Sequence, residues 1–504
     1  MSSKKTWQPI ALFVILTALF ALAYNQSPLY TSNQYQYFLH GMARAGVGTL
    51  SEDWLANTLD PTPLFSLLVE ITTRLNVQGL FYVYYALIMG VYLFSLIGIV
   101  EILFPVRQSA LTWLLFFGGM ILLHSAGLRY LLSLGLGPEW IYLFEGGVAG
   151  QRLLGPVFQP SVFGVFLLFS IFLYLRGKPV WAVLSAVFSA AVHPTYLLSA
   201  ALLVLAYLLV TFFRECRKKR AVWMGLMALA AVAPILVYTW SAFGGGSPEA
   251  AAQARDILVN IRIPHHARAA DWFDATVIVK LVFLGGALYL VRRDRVFLLL
   301  ALPLGVSILL TLVQVFTGSL TLALLFPWRL STWLVPLALA LILGKNVQVL
   351  SITVPTRRVR IVKYACIGLI ALAVFAGLAR TWLEAGEAAL SPARPVQEYV
   401  AVHRQPGEVY LIPVKMYDFR LVAGAPAYAD FFSIPYRSED VIEWYSRYLN
   451  AKHFYDSADC SLLRDLAWQG ATHVILPVDF PVECPSLTQV YEDDAYGLFL
   501  MVSE

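Results

Sequence analysis

Charged side chains are scarce in this sequence. Asp, Glu, Lys and Arg make up 13% of its 504 residues, whereas 59% of the residues are hydrophobic. A soluble protein carries about 25% charged residues. The polar surface is too small to cover a water-soluble globule of this length, so lipid has to be the solvent for much of the chain. The scarcity indicates a polytopic membrane protein.

The sequence also lacks heptads, solenoid periods, low-complexity tracts and metal-binding spacing. None of its four cysteines forms a Cys-x-x-Cys pair. His265 and His266 look like an exposed loop pair with no evident third ligand, which argues against a zinc site. The net charge of +5 is not a nucleic-acid signal, because the basic residues form short clusters between apolar runs. We therefore expect a lipid bilayer, and no nucleic acid, as a partner.

Long apolar runs are abundant, and a helix of about 20 such residues crosses a membrane. Eleven spans can be placed, at residues 7–24, 80–103, 110–126, 160–175, 179–193, 196–213, 221–241, 274–291, 296–316, 320–344 and 364–380. With the N-terminus inside, nearly every Lys/Arg cluster falls on the cytoplasmic side. The sequence therefore predicts an α-helical polytopic protein with its N-terminus in and its C-terminus out. A cleaved signal peptide over residues 1–23 is the alternative for the first run.

The sequence predicts two domains, each with a region on the outer side of the membrane. Residues 1–380 form the transmembrane domain, and its first extracytoplasmic loop, 25–79, contains a stretch at 62–76 that reads as an interfacial helix. Residues 381–504 hold no spanning run and alternate strand-like with helix-like segments, which predicts a small extracytoplasmic α/β domain. Cys460 and Cys484 in this domain could form a disulfide in an oxidising compartment, or remain two buried thiols.

Two carboxylates in the first outer loop are candidate catalytic groups. Asp53 lies beside Trp54, which could pin the loop at the headgroup level, and a solvated loop charge is the alternative for this Asp. Asp60 precedes Pro61 and the helix start at Pro63, so capping of that helix is its alternative role. Either carboxylate could act as a general base at the membrane face.

Four cationic or polar residues are candidate substrate-binding groups. Lys280 and Arg329 interrupt apolar spans in the half nearer the outer face, where snorkelling to the headgroups is the alternative. A guanidinium can grip a phosphate with two hydrogen bonds, and Pro327 would break the helix beside Arg329. His193 occupies a tight outer turn, where a plain polar cap is the alternative, and Arg152 lies in the second outer loop.

This layout resembles the GT-C superfamily of membrane glycosyltransferases, and in particular a less characterised bacterial branch. Four stretches are similar. The first runs from Asn33-Gln34 to Phe65-Ser66, and the others are His193-Pro194, Pro327-Trp328-Arg329 and Gly470-Ala471-Thr472-His473-Val474. The family transfers sugars from polyprenyl-phosphate donors and uses an essential acid in the first outer loop. Many members carry an acidic pair where this chain has Asn33-Gln34, so the acid role would pass to Asp53 or Asp60.

The resemblance implies an inverting glycosyltransferase of the bacterial inner membrane, active on its extracytoplasmic side. The expected donor is a polyprenyl-phosphate-linked sugar, and the acceptor is a glycan, lipid or protein. A divalent metal such as Mg or Mn could bridge phosphate and loop-one acids, although no dedicated ligand set is visible. A transporter or flippase of anionic solutes, and a non-catalytic scaffold that binds a lipid phosphate, are the rival interpretations.

Overall fold

The computed structural model describes residues 4–481 and 484–501, and the chain divides into two compact units. The helical unit comprises Met1–Gln26, Phe81–Val237 and Ile263–Leu383. The mixed unit comprises Ser27–Leu80, Tyr238–Arg262 and Glu384–Glu504. Residues 27–80, most of the first predicted outer loop, and residues 238–262 therefore cluster with the C-terminal region.

The helical unit consists of long apolar helices joined by short turns. Its helices, including those that cross its boundaries, are Lys4–Tyr24, Leu80–Leu103, Ala110–Leu123, Ala126–Leu136, Val165–Leu175, Pro179–Val192, Leu197–Leu209, Lys218–Phe243, Pro264–Ala267, Ala269–Trp272, Ala275–Leu290, Val296–Thr317, Leu320–Leu324, Ser331–Thr353 and Val359–Ala389. Every predicted span falls on helix. Within the described ranges, six helices are long and apolar enough to cross a membrane, or seven if one bent pair counts as a span. The chain is an integral membrane protein.

Two predicted spans are broken in the structure. The run predicted at 110–126 forms two helices that meet at 55°, because Ser125 accepts a hydrogen bond from the Leu128 amide and starts a second helix that continues to Leu136. The run predicted at 320–344 is interrupted at Phe326 and Pro327. Both breaks lie where a side chain or a proline competes with regular helical hydrogen bonding.

The mixed unit combines short helices with a four-stranded sheet. Its helices are Gln34–Tyr37, Leu39–Arg44, Pro63–Arg74, Pro248–Asp256, Arg394–His403, Phe419–Ala423, Ser438–Ser457 and Leu462–Trp468. The strands are β1 Tyr410–Leu411, β2 His473–Pro477, β3 Leu487–Glu492 and β4 Tyr496–Met501, in the order β1-β2-β4-β3. β1 and β2 are parallel, whereas β4 pairs antiparallel with both β2 and β3. The predicted small C-terminal sheet is confirmed, but β3 was not predicted; its alternate residues are not apolar.

The helix Pro63–Arg74 occupies most of the stretch that was predicted to be interfacial. One side of it is buried through residues that include Phe65 and Val69. A second stripe, spaced as on one helix face, is apolar and exposed: Leu64, Leu67, Ile71 and Leu75. An apolar stripe left outside the protein core is what a helix lying at a membrane interface requires.

The disulfide Cys460–Cys484 is formed, with a Cα–Cα distance of 5.5 Å. Its sulfurs lie at the edge of a core that includes Phe454, Leu463 and Val474. The bond joins residues 24 apart in sequence, so it closes a short loop and limits the freedom of the unfolded chain.

Cys460→Ser should lower the free energy of unfolding of the mixed unit by about 3 kcal/mol, because the loop of the unfolded chain is no longer closed. Thermal unfolding of the purified protein with and without reductant measures this loss. Cys216→Ser is the control, since that thiol is free and exposed. Alkylation of all four cysteines in unreduced, denatured protein would contradict the bond.

Candidate anion-binding site

Residues 146–152, which belong to the second predicted outer loop, form a short hairpin. Gly146 and Arg152 form an isolated antiparallel bridge at its open end. The tip turns through left-handed backbone at Ala149 (φ 58°) and Gly150 (φ 63°), a conformation that favours glycine. The bridge fixes the backbone position from which the Arg152 side chain projects.

Two side chains from later in the sequence hold the hairpin by its carbonyl groups. Lys280 Nζ donates a hydrogen bond to the Gly147 carbonyl oxygen at 2.9 Å, and His266 Nδ1 donates to the Ala149 carbonyl oxygen at 2.6 Å. Lys280 is only 5% exposed. Its ammonium group meets a backbone dipole, and it has no ion pair in the part of the chain that the structure describes. Lys280 therefore anchors the hairpin and adds positive charge beside it.

The hairpin also packs against the start of the helix Ser331–Thr353. The Val148 amide donates to Ser331 Oγ at 2.7 Å. A Cβ atom at Gly147 would lie 2.4 Å from Ser331 Oγ and 2.7 Å from a backbone nitrogen, so only glycine allows this approach. The hairpin is thereby joined to the chain segment that carries Arg329.

Arg329 lies in the break within the predicted span 320–344. Phe326 adopts left-handed backbone (φ 48°), and Pro327 has no amide hydrogen, so a short turn, Pro327–Leu330, replaces regular helix. The Pro327 carbonyl accepts a hydrogen bond from Ser307 Oγ at 2.8 Å. The structure has the helix break at Pro327 that the sequence indicates.

The Arg329 side chain is half-buried, with its Nε and Nη2 atoms buried, and it packs against the turn that follows His193. Its guanidinium lies 4.6 Å from the centroid of the Tyr196 ring, and His193, 5% exposed, contacts the same ring edge-on. Arg329 Nε and Nη2 have no hydrogen-bond partner among the described residues. A cation–π contact contributes about 0.5–2 kcal/mol, which is small beside the loss of hydration of a guanidinium. Arg329 is therefore a half-buried cation with two buried nitrogens that an anionic or polar ligand could satisfy.

Arg152 is a second cation with no ion pair among the described residues, although the Glu145 carboxylate interacts with its charge. Its guanidinium lies 4.1 Å from the centroid of the Tyr142 ring, and no hydrogen bond or ion pair joins it to any residue in the described ranges. Burial and the neighbouring His265 lower the pKa of His266, and the charges of Arg329 and Arg152 add to the effect, bringing that pKa to about 3. Both guanidinium groups thus act on the same region beside the hairpin.

Further buried polar atoms in these segments lack hydrogen-bond partners among the described residues. They belong to Gln151, Gln159, Ser161, Thr195 and Trp328. Buried polar atoms in folded proteins are almost always bonded to protein, ordered water or ligand. Unpaired cations and unsatisfied polar side chains together define a candidate site for an anionic ligand that also offers hydrogen-bonding groups.

The structure brings the four predicted substrate-binding residues into one part of the helical unit. Arg329 and His193 belong to adjacent turns, Lys280 holds the hairpin, and Arg152 ends it. Their role in binding a ligand stays a prediction. The prediction that His265 and His266 form an exposed pair was wrong for His266, because its ring is drawn in by the Ala149 carbonyl and its neutral form is favoured there.

Asp53 lies in the mixed unit, where it is fully buried in an ion-pair network. Its Oδ2 accepts hydrogen bonds from Arg420 Nε at 2.7 Å and from the Ala427 amide at 3.0 Å, and its Oδ1 accepts from the Ala56 amide at 3.0 Å. Arg420 also pairs with Asp430. Both oxygens of Asp53 are therefore occupied, and the side chain ties the first outer loop to the C-terminal region.

Asp60 is also engaged, but at a more open position. Its Oδ1 accepts from the Thr62 amide at 2.9 Å, and its Oδ2 pairs with Arg44 Nη1 at 3.1 Å. The Arg44 side chain is 42% exposed and also pairs with Glu70. The Asp60 carboxylate closes a turn ahead of the helix and does not cap it, because the N-cap residue is Thr62.

The loop-one carboxylates do not fit a divalent metal site. Asp53 and Asp60 are each held by an arginine, and an arginine at a carboxylate oxygen takes the place of a cation. Within residues 4–481 and 484–501, no group of three His, Cys, Asp or Glu side chains is arranged to hold a metal ion.

Two charged networks, one in each unit, were missed by sequence reasoning. Arg129 pairs with Glu145 at 3.0 Å and lies 4.2 Å from the Tyr24 ring centroid. Arg420 joins Asp53 across 367 residues of sequence. Single charges at ordinary spacing carry no local signal of a distant partner, so neither pair could be found without the fold.

Comparison with known proteins finds one local domain match and similarity to two solved structures. A model described as a domain of unknown function (DUF6798) matches residues 392–451. No curated protein sequence matches the chain. The chain is similar to crystal structures of ArnT from Cupriavidus metallidurans bound to undecaprenyl phosphate (13% identity, 97% of each chain, TM-score 0.48) and in the apo state (13% identity, 99% of this chain and 98% of that one, TM-score 0.47). At this identity, function has to be inferred from the chain's own residues.

Asp53→Asn should lower the free energy of unfolding by roughly 3–5 kcal/mol, because Arg420 would keep a single buried carboxylate partner. Thermal unfolding of the purified protein measures the change. Glu52→Gln is the matched control, since that neighbouring side chain is exposed. Wild-type stability together with abolished sugar transfer in Asp53→Asn would assign Asp53 to catalysis and contradict a structural role.

The low pKa of His266 predicts loss of stability in acid. The unfolded chain takes up a proton near pH 6.5, whereas the folded His266 does so only near pH 3, so stability falls as the pH drops from 6.5 towards 3. The contribution at pH 5 is about 2 kcal/mol. His266→Gln should flatten the change in melting temperature between pH 7.5 and 5. An unchanged pH dependence in this variant would contradict the burial of a neutral His266.

Proposed function

We propose that the protein is a GT-C-type membrane glycosyltransferase. It would transfer a sugar from a polyprenyl-phosphate-linked donor to a glycan, lipid or protein acceptor. The observation that carries the proposal is the pair of unpartnered cations, Arg152 and Arg329, gathered with polar side chains in the helical unit. A phosphate supplies the missing negative charge, and a sugar hydroxyl can satisfy amide and hydroxyl groups such as those of Gln151 and Thr195.

The proposed membrane topology has eleven spans, with the N-terminus inside and residues 381–504 outside. It places the hairpin 146–152 and the helix Pro63–Arg74 on the extracytoplasmic side of a bacterial inner membrane. The exposed apolar stripe of that helix supports its lying along the outer interface. The donor phosphate would then reach Arg329 from the outer leaflet.

In the proposed reaction, an acceptor hydroxyl attacks the anomeric carbon of the donor. A carboxylate takes the hydroxyl proton, the new glycosidic bond forms as the bond to the phosphate oxygen breaks, and polyprenyl phosphate leaves. Arg329 and Arg152 would stabilise the charge that develops on the departing phosphate. One direct displacement inverts the anomeric centre. The sequence offers Asp53 and Asp60 as the base, and Asp60 is the better candidate because Asp53 has no exposed surface.

A lipid-phosphate-binding scaffold is the second candidate function. The observation that favours it is that Asp53 and Asp60, the two predicted bases, are both paired with arginine. The anion site would have the same role in both cases. The two functions differ only in whether the sugar is transferred.

Arg329→Gln and Arg152→Gln should each weaken binding of undecaprenyl phosphate by roughly tenfold or more, because each removes a charge-assisted hydrogen bond to phosphate. Binding can be measured on purified protein in detergent by native mass spectrometry. Arg268→Gln is the matched control, because Arg268 is exposed and already paired with Asp271.

Transfer of radiolabelled sugar from polyprenyl-phosphate donors, followed in reconstituted vesicles, then separates the two functions. The glycosyltransferase proposal expects transfer by the wild type and by Arg268→Gln, and its loss in Arg329→Gln. Binding of the lipid with no transfer from any donor would support the scaffold. Equal binding by all three variants would contradict the anion site itself.

A further inference from the structure

A largely apolar cavity with a cationic edge lies in the helical unit. It has a volume of about 500 Å³ and lies between the N-terminal ends of the helices Pro179–Val192 and Lys218–Phe243. Cavities that hold small ligands have volumes of about 300–1,000 Å³. Neither the anion site nor the proposed reaction uses this cavity.

The polar part of the cavity wall is entirely cationic. Lys178 precedes one helix, and Arg220 lies in the first turn of the other. Arg220 Nη2 donates to the carbonyl oxygen of Gly177, which also lines the cavity, at 3.3 Å. Neither cation has an ion pair in the part of the chain that is described, and no acidic side chain lines the cavity. The cavity therefore attracts an anion.

The rest of the wall is apolar and includes two exposed tryptophans. Trp181 is 63% exposed and Trp223 is 73% exposed, although both line the cavity. Tryptophan is enriched where a membrane protein meets the headgroup region, since its ring is apolar and its N–H is polar. A wall that is cationic in one part and aromatic and aliphatic in the rest matches a molecule with an anionic head and an apolar body.

We propose that this cavity is a binding site for an anionic phospholipid, with the headgroup phosphate between Lys178 and Arg220 and the glycerol and upper acyl chain against Trp181 and Trp223. In the proposed topology the cavity lies on the cytoplasmic side, and the lipid comes from the inner leaflet. The site goes beyond the proposed transferase activity and does not depend on it. Binding of a lipid at this one position would differ from the general attraction of basic loops to anionic membranes.

The test uses the purified full-length protein, stripped of lipid in detergent and titrated with dioleoyl phosphatidylglycerol or dioleoyl phosphatidylcholine. Native mass spectrometry counts the lipids that remain bound. The anionic lipid is expected to bind roughly tenfold more tightly than the zwitterionic one, because two basic residues face its phosphate. The double variant Lys178→Gln/Arg220→Gln should lose this preference.

Two further variants separate the cavity from the basic surface. Arg292→Gln/Arg293→Gln removes two exposed charges from another turn and should keep the preference. Met227→Trp fills the cavity without changing its charge and should weaken binding of phosphatidylglycerol. Equal affinity of the wild type for both lipids, an equal loss in both double variants, or unchanged binding by Met227→Trp would each overturn the proposal.

Discussion

A guanidinium with two buried nitrogens and no carboxylate partner in the described part of the chain is the feature from which the rest of this site follows. Arg329 has two nitrogens that make no hydrogen bond to any described residue, and Arg152 makes no ion pair. Removing such a charge from water is unfavourable unless an anion or several dipoles replace the hydration. The fold surrounds Arg329 with an aromatic ring, a helix break and a braced hairpin. Together these hold the positive charge in place without neutralising it.

In the mixed unit, the buried Arg420 is paired with carboxylates. Arg420 is held between Asp53 and Asp430, so one guanidinium binds two carboxylates. Gln36 also exchanges hydrogen bonds with the backbone of Ile434, which joins the first loop to the C-terminal region at a second point. Complete pairing is typical of a structural network, because any lost partner would leave a buried charge. The Arg420 network thus differs from Arg329, which has no carboxylate partner among the described residues.

Isolated charges in apolar runs were the most informative part of the sequence. Lys280 and Arg329 stand out for that reason, and Pro327 predicts the local break. Hydrophobic runs likewise place each predicted span on helix. What could not be predicted is pairing over long distances: Arg420 lies 367 residues from Asp53, and the partner of His266 is a backbone carbonyl at Ala149. The strand β3 was missed because its residues do not alternate between apolar and polar.

The most direct measurement is an experimental structure of the full chain in lipid with undecaprenyl phosphate added. The proposed account predicts phosphate density within hydrogen-bonding distance of the Arg329 guanidinium, with Arg152 and the hairpin 146–152 contacting the same group. It further predicts that Nε and Nη2 of Arg329, unpartnered without the ligand, become its donors. A headgroup bound elsewhere, with Arg329 hydrated or paired to a protein carboxylate, would contradict the account.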